Sequence, residues 1–150
     1  MPPKYVFQNI LDIRHSKVES IEIQLGNAEN KLLALEKRKN MLLAMKSGCL
    51  EEMRLKMKDE IDVFQLDMLR SNVKRIDDSL KRVDSEIGDM KKKISQIRMN
   101  LVKAKQDEET LEILKEKENE KFMAEMKRLE GKQQDDVYIS MAYKNRQQGA

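Results

Sequence analysis

His15 and Cys49 are each the only residue of their kind in 150. Metal centres and nucleophilic triads need such side chains gathered at defined spacing. Neither residue has a partner set that the sequence makes believable, so no metal and no cofactor is expected. Phosphate cradles need clustered glycines, whereas Gly26, Gly48, Gly88, Gly131 and Gly149 are scattered. The 27 carboxylates would need a cleft to shift their pKa values, and the elements inferred below offer none. The expectation is a protein without catalytic residues.

Those elements follow from composition and spacing. Charged residues make up 38% of the chain and aromatic residues 4%, with no Trp. This is poor material for a globular core and typical of long paired helices. Disordered chains share the charge but lack regular Leu, Ile, Val and Met spacing. Pro2 and Pro3 stand at the extreme N-terminus, so nothing from Lys4 onward clashes with an upstream helical carbonyl.

A coiled-coil seam recurs at alternating steps of four and three. From Phe7 those steps fall on Leu11, Arg14, Val18, Ile21, Leu25, Ala28, Leu32, Leu35, Lys39, Leu42, Lys46, Cys49 and Met53. Arg14, Lys39 and Lys46 are the misfits, and Cys49 reads as a small buried residue. His15, beside the seam, reads as solvated. From Leu66 the steps fall on Leu69, Val73, Ile76, Leu80, Val83, Ile87, Met90, Ile94, Ile97, Leu101 and Ala104 without one polar residue.

The two frames do not join, because the first continues onto Lys56 and Glu60. Asp62 with Gln65 three residues on has the form of a helix start; one continuous helix with a phase shift is the alternative. The fold class expected is all-α: one antiparallel coiled-coil hairpin over 1–150, with helix 1 about 5–58, a turn about 59–62 and helix 2 about 63–145. Met53 would then face the Leu66 and Leu69 region and Val18 the Ala104 region. At 1.5 Å per residue the helices would be about 80 and 125 Å long, leaving the C-terminal end overhanging. Gly26 and Gly88 inside the helices are flexible points or close-packing points.

Outer positions offer i,i+4 charge pairs: Glu52 with Lys56, Asp77 with Lys81, Asp78 with Arg82, and Asp89 with Lys93. The net charge of +3 is interleaved, and Lys91 to Lys93 form the one tight basic run. It reads as a solvated helix face rather than a nucleic-acid or anionic-membrane surface. No stretch approaches the ~20 apolar residues of a membrane span, and Met1 to Asn9 has no signal-peptide core. A cytoplasmic protein is expected, and a lone cysteine agrees with a reducing compartment. Beyond Ala104 the seam weakens at Glu108, Lys115 and Glu118. A second apolar set, Phe122, Met126, Leu129, Val137, Tyr138 and Met141, then follows; it reads as a fraying tail or as a docking surface.

Three segments resemble the flagellar export protein FliJ family. Lys4-Tyr5-Val6-Phe7-Gln8-Asn9-Ile10-Leu11-Asp12-Ile13-Arg14 is similar to its aromatic lead-in and Leu-Asp-x-Arg turn. Phe64-Gln65-Leu66-Asp67-Met68-Leu69 through Leu80 is similar to its second helix start. Lys115 to Asp136, with Glu118, Lys121, Phe122, Glu125, Arg128, Lys132, Asp135 and Asp136, is similar to its charged C-terminal stretch. The chain departs from the family in its 11 methionines and in Gly131, which leaves the continuity of the last helix open.

The resemblance implies a stalk that binds a hexameric flagellar export ATPase, much as a rotary-ATPase γ subunit enters its ring. It further implies contacts with the membrane export gate and with export chaperones, in a protein peripherally associated with the inner-membrane apparatus and monomeric alone. The residues then expected at the ATPase-facing end are Phe7, Ile10, Leu11, Arg14, Phe122, Met126, Leu129, Val137 and Tyr138. Met41, Met45, Met68 and Asn72 are expected at the gate-facing tip, where flexible Met suits an adaptable surface. The related injectisome stalk proteins, a self-associating structural rod and a DNA-binding coiled coil are the rival readings.

Overall fold

The computed structural model describes residues 7–58 and 62–148. Lys4, Tyr5 and Val6, and Asp59, Glu60 and Ile61 of the expected turn, lie outside the described residues. Two helices account for the regular structure there: α1, Gln8–Lys58, and α2, Val63–Gln148. They pack against each other as a helical hairpin, and no strand occurs among the described residues. The chain divides into two compact units, one of Glu19–Lys103 and one of Met1–Val18 with Ala104–Ala150.

Both helix starts are specified locally. The Phe7 carbonyl accepts the Leu11 N–H at 2.9 Å, closing the first turn of α1. At α2 the Asp62 carboxylate accepts the Phe64 N–H at 3.0 Å, and its carbonyl accepts the Leu66 N–H at 3.1 Å. That satisfies an N–H with no partner inside the helix and makes α2 a new helix rather than a phase-shifted continuation. α2 runs past the expected end at Asn145 and passes unbroken through Gly131.

Within Glu19–Lys103 the buried residues are Ile21, Ala28, Leu69, Ile76, Val83, Ile87, Ile94 and Ile97. Each is a frame position, and the remaining frame positions from Leu25 to Leu101 are half-buried. A fully buried side chain of this size is worth about 1.5–3 kcal/mol, so this seam is the main source of stability in the unit.

The misfits Lys39 and Lys46 have a structural account. Lys39 Nζ lies 2.8 Å from Asp84 Oδ1, and Lys46 Nζ lies 2.7 Å from Asp77 Oδ1. Their stems cover the seam while their ammonium groups reach out to carboxylates on the other helix. The lysines are seven residues apart going forward on α1 and their partners seven apart going back on α2, which sets the helices antiparallel. Arg98 to Glu29, at 3.3 Å, is a further cross-helix bond in this unit. Of the expected same-helix pairs, Lys56 with Glu52 forms at 3.5 Å. Asp77 is taken by Lys46 instead of Lys81.

In the other unit Leu11, Val18 and Ala104 are buried. Arg14, the third misfit, lies 3.7 Å from Asp107. Further along α2, Leu111, Lys115 and Phe122 are half-buried, and every residue from Met123 to Gln147 is exposed.

A methyl group added at Gly26 or Gly88 would meet no atom within 4 Å. Neither glycine is a close-packing point, and each forgoes about 1 kcal/mol of helix propensity relative to Ala. Gly88→Ala is therefore expected to raise the free energy of unfolding by about 0.5–1 kcal/mol in urea titration. A loss of stability would mean that the backbone there needs glycine.

Candidate functional site

The candidate sites among the described residues are surfaces. Three stand out, two on Glu19–Lys103 and one on the unit formed by the chain's two ends.

The first expected set is divided by burial. Phe7 and Ile10 are exposed, whereas Leu11 is buried in the seam and Arg14 is engaged by Asp107. Next to Arg14, His15 Nδ1 lies 2.6 Å from Glu108 Oε1. His15 is exposed as expected, its side chain by 60%, and is also tied to a Glu108 side chain only 15% exposed. Glu108 occupies a seam position, and His15 supplies a polar partner there. Spacing on one helix could not reveal this bond, which depends on the register between two.

On distal α2, Phe122, Met126 and Leu129 follow one another at steps of four and three, the spacing of a single helix face. Phe122 is half-buried; Met126, Leu129, Val137 and Tyr138 are exposed, the tyrosine by 75%. Val137, Tyr138 and Met141 line a shallow groove with Glu130, Gln133 and Gln134. The sequence reading left out Met123, Ile139 and Tyr143, which are equally open. Arg128 donates to Glu125 at 2.6 Å, and this bond holds the Glu125 carboxyl below its ordinary value and the guanidinium above its own. The folded-state value of Glu125 is thus depressed. Its support for the helix is fully present above the ordinary carboxylate range and is lost as pH falls through the lowered value.

In Glu19–Lys103, Met41, Met45 and Met68 are exposed, as is Asn72. Met45 follows Lys31 and Arg38 at seven-residue steps on α1, and Asn72 belongs to the seven-residue series Asn72, Ser79, Glu86 and Lys93 on α2. These two series border one flank of the seam. There Lys31, Leu35, Arg38, Glu86, Met90 and Lys93 line an open groove. A neighbouring groove is lined by Gln24, Asn27, Ala28, Lys31, Lys93 and Ile97. On α1 a second series at seven-residue steps, Leu43, Leu50 and Met57, is exposed beside the seam; the seam frame passes over it, though its period was readable.

Among the described residues no three His, Cys, Asp or Glu side chains are grouped to hold a metal ion, and no helix is long and apolar enough to cross a membrane.

No curated protein and no solved structure matches the chain. The family model described as flagellar FliJ protein matches residues 3–148, nearly the whole length and all three resembling segments. The helical hairpin follows from the spacing of the seam residues, the resemblance adds its family, and with the family model matched over residues 3–148 the chain belongs to the FliJ family.

Proposed function

We propose that the chain is a non-enzymatic stalk of the flagellar protein export apparatus, binding the hexameric export ATPase and linking it to the membrane export gate and to export chaperones. Membership of the FliJ family is the observation that carries this reading. The exposed apolar residues of distal α2 support it, since an ordered helix that leaves Met126, Leu129, Val137 and Tyr138 in water has surface to give to another protein. Phe7 and Ile10, with those distal residues, form the ATPase-facing surface. Leu11 and Arg14 act from beneath it by holding α1 to α2, and Phe122 adds its exposed edge. Met41, Met45, Met68 and Asn72 form the gate-facing surface. The protein works in the cytoplasm, peripherally bound at the inner membrane.

The physical role is bias rather than chemistry. A single asymmetric helix pair in a symmetric ring touches the subunits unequally. It shifts their states only as far as its contacts differ in strength between those states.

Mixing the purified chain with the export ATPase of the same organism tests this. Faster hexamer formation and raised ATP hydrolysis are expected; neither binding nor stimulation at micromolar protein would sink the proposal.

A further inference from the structure

Charges that face each other across the seam of Glu19–Lys103 are complementary at Lys39 with Asp84, Lys46 with Asp77, and Glu29 with Arg98. Lys31 and Lys93 break this rule. They are the two residues shared by the adjoining grooves, one from each helix, and neither makes an ion pair with another of the described residues. On its own helix Lys31 has Asn27 four residues before it and Leu35 four after, so no carboxylate stands within i,i+4 reach. Lys93 has Asp89 four residues before it, yet the pair expected from that spacing is not made.

Two like charges opposite each other destabilise the hairpin they belong to. Beneath them lie two apolar floors, Ala28 with Ile97, which are buried, and Leu35 with Met90, which are half-buried. Along each helix those floors are seven residues apart, about 10 Å of axis. The lysines stand over the interval between them. Towards Met90 the groove turns mixed, with Glu86 and Asp89 beside Arg38, whereas the half around Ala28 holds Gln24, Asn27 and the two lysines without an acid.

We propose that this flank receives an amphipathic helix of a partner protein, one that lays an aspartate or glutamate between Lys31 and Lys93. Apolar side chains one heptad apart would sit on the two floors, with the acidic residue midway at i+3 or i+4. The carboxylate relieves the repulsion between the lysines, so the same charge arrangement that weakens the free hairpin selects the ligand. This surface shares no residue with the ATPase-facing set, and either assignment can fail while the other stands.

The test uses the full chain and a fluorescent helical peptide of about 21 residues, long enough to hold a helix, with Leu at positions seven apart and Glu midway. A second peptide carries Lys in place of that Glu. Anisotropy titration is expected to show the acidic peptide binding at least about tenfold more tightly. Lys31→Glu, and separately Lys93→Glu, are expected to weaken acidic-peptide binding about tenfold while leaving the melting temperature equal or higher, because each turns a like pair into an opposite one. The double variant is expected to prefer the basic peptide. Equal affinity for the two peptides, or unchanged binding by Lys31→Glu, overturns the proposal. So does sedimentation showing a dimer that Lys31→Glu dissociates, since a second copy would then occupy the flank.

Discussion

Ile94→Asp is expected to cost the hairpin about 3 kcal/mol or more. Ile94 is 4% exposed, on the cleanest stretch of the seam, and the frame position facing it on α1 is Ala28, also buried. The lysines that occupy seam positions in this unit, Lys39 and Lys46, are already bound to Asp84 and Asp77. A carboxylate at position 94 gives up the apolar contact of that seam position and either is desolvated in the seam or protonates at a cost, and both outcomes are among the strongly destabilising classes of substitution. With about 2–4 °C lost per kcal/mol for a chain of this size, the thermal midpoint followed by circular dichroism should fall by roughly 10 °C. Met99→Asp serves as the control: its side chain is exposed on the same helix, and a change within about ±0.5 kcal/mol is expected. Equal melts for the two variants would mean that the seam is not where stability resides.

Ending the chain after Phe122 is expected to separate stability from function. Every residue from Met123 to Gln147 is exposed, so their removal takes away little burial. The unfolding free energy should stay within about ±0.5 kcal/mol while helical ellipticity falls with the lost residues. Stimulation of the export ATPase should fall about tenfold or more, the size of effect that follows from removing the apolar anchors of an interface. An unimpaired truncation would move the ATPase-facing surface elsewhere on the chain. A truncation that unfolds would show that distal α2 braces its own unit.

The seam was legible because its period is a property of each helix alone: Leu66 to Ala104 at alternating four and three needs no knowledge of the partner. Asp62 was legible for the same reason, since an N-cap bonds the N–H groups just after it. Cross-helix chemistry was not. Asp77 has Lys81 at the i,i+4 spacing that a one-helix reading rewards, yet it bonds Lys46, thirty-one positions away. Each such partner is fixed only once register is known, as with Glu108 for His15 and Asp107 for Arg14. Gly26 and Gly88 could not be assigned for a related reason, because what a methyl group would meet depends on a neighbouring helix the sequence does not place. The apolar set on distal α2 was visible as residues, but whether it was covered was a question for the fold.

The lysines set into the apolar seam also key the two helices against axial slip. Sliding α1 by one heptad, about 10 Å, in one direction leaves Lys39 facing Asp77 but brings Lys46 against Arg70. In the other direction Lys46 meets Asp84, while Lys39 is driven against Lys91. An all-apolar seam would pay little for such a step. Here either step sets cation against cation, so a thrust applied along one helix of Glu19–Lys103 is delivered to the other as displacement instead of being lost in sliding.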